Sequence, residues 1–250
     1  MKPYDSRMRL AGTLVARRPS RWGRLPAALA LILALSIAGT AKSQAASSAA
    51  ASTHVYLLRG VLNIFSLGLD DLAAKLQRQG ITVTVANYLS WSSLADAAAA
   101  EYRSGRTKTI VLVGHSSGAT ALPDMVARLD QLGTPVKLAI GLDSVFRTSL
   151  SGRVGRYVNF YVANGNGEPV AKTSQLKGTL ENVDVGKIGM AHLTIDKSEV
   201  MHRKVIAAIN SVASSGSKVA SEPKPQPDIG TAGQGNAAGQ GKTAAATPRN

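Results

Sequence analysis

The stretch TIVLVGHSSGATALPDM, Thr109–Met125, decides how this chain is organised. TIVLV (109–113) is continuously apolar, the pattern of a strand buried on both faces. SGATALPDMVARLDQLG follows without a break and reads as a helix closed by Gly133, with Pro123 predicting a kink or local break inside it. Gly-His-Ser-Ser-Gly (114–118) occupies the junction. A strand that turns directly into a helix through Gly-x-Ser-x-Gly holds its serine in a strained conformation, with the glycines removing side chains that would collide across the turn. The Ser116 hydroxyl would then project from the carboxyl edge of the sheet. There the amide of Ser117 and the helix dipole can stabilise a developing oxyanion.

The flanking segments repeat the same alternation. HVYLL (54–58) is a short apolar run, and LGLDDLAAKLQRQG places Leu67, Leu69, Leu72 and Leu76 near one helical face before stopping at Gly80. ITVTVANY (81–88) is β-branched and strand-like, and SSLADAAAAEYRSG reads as a Ser-capped helix ending at Gly105. VKLAIGLD and YVNFYVANG (157–165) are further strands, and KSEVMHRKVIAAINSV is an amphipathic helix. This rhythm predicts a three-layer α/β/α sandwich with a mostly parallel sheet of about five strands.

Composition divides the 250 residues into three parts. Residues 1–45 carry eight basic side chains and one acid, followed within that span by the apolar run LPAALALILALSIAG and the small residues GTAKSQAAS. Basic, short apolar, then small is the order of a secretory signal peptide, with cleavage after Ala41 or Ala45. The apolar run is shorter than the ~20 residues of a spanning helix, so no stable membrane span is expected after processing. The alternative is an uncleaved N-terminal anchor. Residues 52–213 form the predicted folded domain. Residues 214–250 are rich in Gly, Ala, Pro, Gln and Ser, too polar to offset the entropy of ordering, and are expected to be a disordered tail. The predicted location is periplasmic or secreted.

The formal charge of +14 would suggest an anionic partner if it were concentrated on the folded part. Half of it lies in residues 1–45, and the seventeen bases and twelve acids of residues 46–213 form no run, so nucleic acid is not an expected partner. The absence of cysteine excludes a disulfide framework, a thiolate zinc site and a cysteine nucleophile.

A serine hydroxyl is a poor nucleophile without a base. Of the four histidines, His54 opens a strand, His115 packs the turn and His202 falls within the last helix on its expected polar side. His192 stands in the loop GMAHLTID before that helix and is the candidate base. Asp143, at the end of VKLAIGLD, is the candidate acid, because neighbouring strand ends lie about 4.8 Å apart. Glu168 in NGNGEP is its rival, Asp184 is nearer His192 in sequence, and Asp196 reads as a helix-start residue. The order Ser116, Asp143, His192 is that of one class of triad only.

With GHSSG, GLDS and HLTID in that order, residues 54–212 resemble the α/β-hydrolase superfamily in the style of small bacterial lipases and esterases. The resemblance implies an oxyanion loop in LLRGVLNIFS, turning at Gly60, with the amide of Val61 or Leu62 as second donor beside that of Ser117. Arg59 stands where the family often has histidine. SVFRTSLSGRVGR is too short for a lid domain; Leu62, Phe65, Trp91 and Phe146 are candidates for a shallow acyl pocket, with a place in the core as the favoured alternative for each. The implied activity is hydrolysis of carboxylic esters or thioesters, of small-molecule or lipid origin, without metal or organic cofactor. Acyl transfer to an alcohol and an inactive acyl-binding envelope protein on the same fold are the alternatives.

Overall fold

The computed structural model describes residues 48–61, 66–165 and 167–220. The signal-peptide reading of residues 1–45, and the tail beyond residue 220, lie outside them. Six parallel strands form one sheet in the order β2-β1-β3-β4-β6-β8. They are β1 (Thr53–Arg59), β2 (Thr82–Asn87), β3 (Thr109–His115), β4 (Val136–Leu142), β6 (Arg153–Tyr161) and β8 (Lys177–Asp184). Two short strands, β5 (Ser149–Leu150) and β7 (Ala171–Lys172), pair separately beside it.

The helices are α1 (Gly68–Gln77), α2 (Trp91–Arg103), α3 (Ser117–Gln131) and α4 (Glu199–Ala220). Strand side chains alternate between two cores, because successive residues point to opposite faces. Val55, Leu57, Val111 and Val113 pack with Leu69 and Leu72 of α1 and Met201 and Val205 of α4. Tyr56, Leu58, Ile110 and Leu112 pack with the alanines of α2 and with Leu122, Met125 and Leu129 of α3. The α/β sandwich expected from the sequence is therefore present, with six strands rather than about five.

The additional strand is β8, whose exposure pattern is that of a sheet edge. KGTLENVD has no continuous apolar run, so only its pairing with β6, from Arg153↔Lys177 to Tyr161↔Asp184, reveals it. Three local expectations also change. α2 begins at Trp91, ahead of the expected Ser cap, and Ser90, the residue in the cap position, makes no side-chain cap. α3 continues through Pro123 without a break. α4 continues to Ala220, past the expected domain end at 213, with Ala213 buried against the protein.

β1 connects outward to β2, whereas β3 connects in the opposite direction to β4. The loops leaving β1 and β3 consequently diverge at the carboxyl edge. In open α/β sheets such a reversal point forms the crevice where ligands bind.

Candidate active site

Ser116 sits between β3 and α3 with φ 59° and ψ −123°, one of only two non-glycine residues with positive φ among those described. Such a conformation persists only where its surroundings over-determine it. The glycines on either side provide the space. A Cβ on Gly114 would lie 2.4 Å from the carbonyl carbon of Gly118, and one on Gly118 would lie 2.0 Å from the carbonyl oxygen of Leu58. The Ser116 amide donates to the Leu142 carbonyl at 3.0 Å, tying the turn to the end of β4.

Asp143 is the other positive-φ residue, at φ 57°, one position beyond β4. Because His115 pairs with Leu142 in register, Ser116 and Asp143 leave adjacent strand ends. Asp143 is fully buried. Its Oδ1 accepts from the Val162 amide at 2.7 Å and its Oδ2 faces His192 Nδ1 at 2.7 Å. The other ring nitrogen, His192 Nε2, stands 3.1 Å from Ser116 Oγ. The three side chains therefore form one hydrogen-bonded line from a buried carboxylate, through a partly exposed imidazole, to the serine hydroxyl.

Glu168 does not join this line. Its amide donates to the Ser144 carbonyl, and its carboxylate pairs with the exposed guanidinium of Arg147 at 3.4 Å. Asp184 accepts from the amides of Ala163 and Gly186. Asp196 is fully buried and serves a helix start, but not that of its own helix: its Oδ2 accepts from the amide of Gly68, the first residue of α1, at 3.0 Å. His202 is buried and not on a polar surface; its Nε2 bonds the Asp196 carbonyl at 2.6 Å while Lys75 Nζ approaches Nδ1 at 2.9 Å. A helical projection assigns polar residues to solvent, and here the polar partners lie inside. His54 is structural, bridging Glu101 and Thr84 at 2.7 and 2.8 Å.

Ser117 opens α3, and the first amides of a helix have no intrahelical partner. The Val61 amide is likewise not given to another group among the described residues. Gly60 presses its backbone against Ser116, for a Cβ there would lie 2.8 Å from Ser116 Cβ. Arg59 pairs with Asp70 at the start of α1. Leu62, the other oxyanion candidate, and Phe65 lie outside the described residues.

A cleft of about 480 Å³ runs beside Ser117, walled by Val61, Tyr88, Leu89, Trp91, Ala121 and Phe146. Trp91 and Phe146, two of the acyl-pocket candidates, both line this cleft. The Phe146 carbonyl is held by Ser144 Oγ at 3.0 Å, which also meets Thr120 Oγ1 at 3.0 Å. The strongly exposed large apolar side chains among the described residues are Val61, Leu67, Leu89, Phe146, Ile188, Leu193 and Val200. Each follows a strand end or starts a helix on the carboxyl side of the parallel sheet, so among the described residues the exposed large apolar side chains gather at this edge.

The sequence did not single out Ser66. Its Oγ accepts from the Gly60 amide at 3.0 Å and lies 2.8 Å from His115 Nδ1. His115 Nε2 donates to the His192 carbonyl at 2.9 Å. Standing just before α1, Ser66 resembles a helix cap, and no short-range pattern pairs it with a residue on β3. Burial holds the His115 imidazole below the usual histidine range, with the charge of Asp196 pulling the other way.

No protein-family model matches the chain, and no curated protein matches it. Solved structures resemble it distantly. A Listeria innocua gene product has 10% identity and a TM-score of 0.43, over 62% of this chain and 92% of that one. The thioesterase domain of NocB from the nocardicin cluster has 11% identity and a TM-score of 0.42, over 65% and 96%. An acetylxylan esterase has 18% identity and a TM-score of 0.34, over 67% and 97%. At these values the likenesses assign no activity, and the site's own geometry has to carry the functional reading.

Proposed function

We propose that this protein is a serine hydrolase of carboxylic esters or thioesters. The observation that carries the reading is the hydrogen-bonded line Asp143–His192–Ser116 at the carboxyl edge of the sheet. Ser116 Oγ attacks the acyl carbonyl while His192 Nε2 takes its proton, and the imidazolium then protonates the leaving alcohol or thiol. Asp143 keeps the imidazole proton on Nδ1, so that Nε2 presents a lone pair to the hydroxyl. The amides of Ser117 and Val61 receive the oxyanion. Water activated by His192 then releases the acid from the acyl-enzyme. The apolar cleft beside Ser117 supports an apolar acyl group as the part of the substrate held there. Export to the periplasm or medium is part of the same proposal and rests on the composition of residues 1–45.

A fluorophosphonate probe tests the reading, because it phosphonylates only an activated serine. Stoichiometric labelling should map to Ser116 by peptide mass spectrometry and disappear in His192→Ala. Failure of the folded protein to label, together with absent p-nitrophenyl ester turnover, would refute the hydrolase reading and leave an acyl-binding protein.

A further inference from the structure

We propose that His115 and Ser66 form a positioning relay that holds the oxyanion loop and the histidine loop in register with Ser116. The inference rests on the hydrolase reading for its consequence, though not for its geometry.

The direction of each hydrogen bond follows from what each atom can do. The His192 carbonyl only accepts, so His115 Nε2 carries the proton across their 2.9 Å contact. Burial favours the neutral ring, which leaves Nδ1 as a lone pair. Nδ1 must then accept from the Ser66 hydroxyl at 2.8 Å, and Ser66 Oγ in turn accepts from the Gly60 amide at 3.0 Å. Each donor in this chain has one acceptor, and only one arrangement satisfies them all. His115 and Ser66 are both fully buried, so water does not replace a lost partner cheaply.

The two ends of the relay adjoin groups that the proposed chemistry uses. At one end is the carbonyl of His192, whose ring lies 5.1 Å from that of His115, centroid to centroid. At the other is the amide of Gly60, which abuts Ser116 and immediately precedes the Val61 amide. Because His115 is the residue before Ser116 on the same chain, one buried ring references both loops to the nucleophile. A misplacement of about 1 Å at such a site is enough to cost 10²-fold in rate. His115 and Ser66 touch neither the reacting carbonyl nor the transferred proton, and are positioning residues.

Ser66→Ala, His115→Gln and their double variant test the relay, with kcat and KM measured on p-nitrophenyl butyrate and exchange of the Gly60 amide followed by NMR. Glutamine places an amide near the former Nε2 and so retains the bond to His192 while severing the one to Ser66. Each single variant should lower kcat about tenfold with KM within twofold, and the double variant should be no worse than the poorer single one, since both cut one chain. Gly60 exchange should accelerate in Ser66→Ala, also in a Ser116→Ala background where no turnover is possible. Unchanged kcat in Ser66→Ala, or losses that multiply in the double variant, would overturn the relay. Unchanged Gly60 exchange would overturn its geometry independently of activity. A parent protein without esterase activity would sink the hydrolase reading and the positioning role together, while the exchange measurement still reports whether the tether exists.

Discussion

Replacing Asp143 by asparagine is the most informative single perturbation of the site, because the structure determines which way the new amide must face. Asp143 Oδ1 accepts from the Val162 backbone amide at 2.7 Å, and a backbone N–H cannot reverse its role. The asparagine oxygen therefore takes that position and its NH2 group takes the place of Oδ2, 2.7 Å from His192 Nδ1. Two donors cannot share that contact, so His192 moves its proton to Nε2. The nitrogen 3.1 Å from Ser116 Oγ then donates and no longer accepts, and the general base is gone. In triads this tautomer error lowers kcat by about 10⁴, equivalent to roughly 5.5 kcal/mol of lost transition-state stabilisation. The Val162 bond and the side-chain volume are both retained, so the melting temperature should stay within a few degrees of the parent. Steady-state hydrolysis of a p-nitrophenyl ester and a thermal melt on the same preparation supply both readouts. An asparagine variant that folds and keeps a tenth or more of the parental kcat would refute the assignment of Asp143 as the orienting acid.

Glu168→Gln should leave kcat within about twofold, since its carboxylate pairs only with exposed Arg147 and such pairs contribute little. Comparable loss to Asp143→Asn in the same assay would reassign the acid. Gly118→Ala should destabilise by about 3 kcal/mol or more in urea unfolding, because the added carbon meets the Leu58 carbonyl of a central strand rather than a yielding side chain. A variant as stable as the parent would show that the turn has room to relax. Stability should also fall as pH drops below about 6.5. There the unfolded chain protonates His115 at its ordinary value, whereas burial delays protonation in the folded protein, so unfolding takes up a proton. His115→Gln should lose less stability between pH 7.5 and 5.5 than the parent; an equal loss would show that other groups carry the slope.

Local features of this protein were legible in the sequence because their causes are local. The apolar run 109–113 needed no partner to be recognised as a buried strand, and the glycines at 114 and 118 announced a tight crossing that the contacts with Leu58 and within the turn explain. The helix stops at Gly80, Gly105 and Gly133 all adopt positive φ, the conformation for which glycine is suited. Asp143 was already a candidate because a residue that ends a parallel strand emerges at the carboxyl edge, and His192 because it alone of the four histidines was expected in a loop. What tertiary structure decided were the partnerships between distant positions. Register between β3 and β4 brings Ser116 beside Asp143 and leaves Glu168 with Arg147. Asp196 meets α1 across 128 residues, His202 turns inward to bind the same loop, and Ser66 joins His115 across 49. β8 is a strand only because β6 offers it an edge. Periodicity and composition report which face of an element is apolar. They carry no information about which polar group waits on the facing element, so the proposed relay behind Ser116 emerged only when the strands were laid side by side.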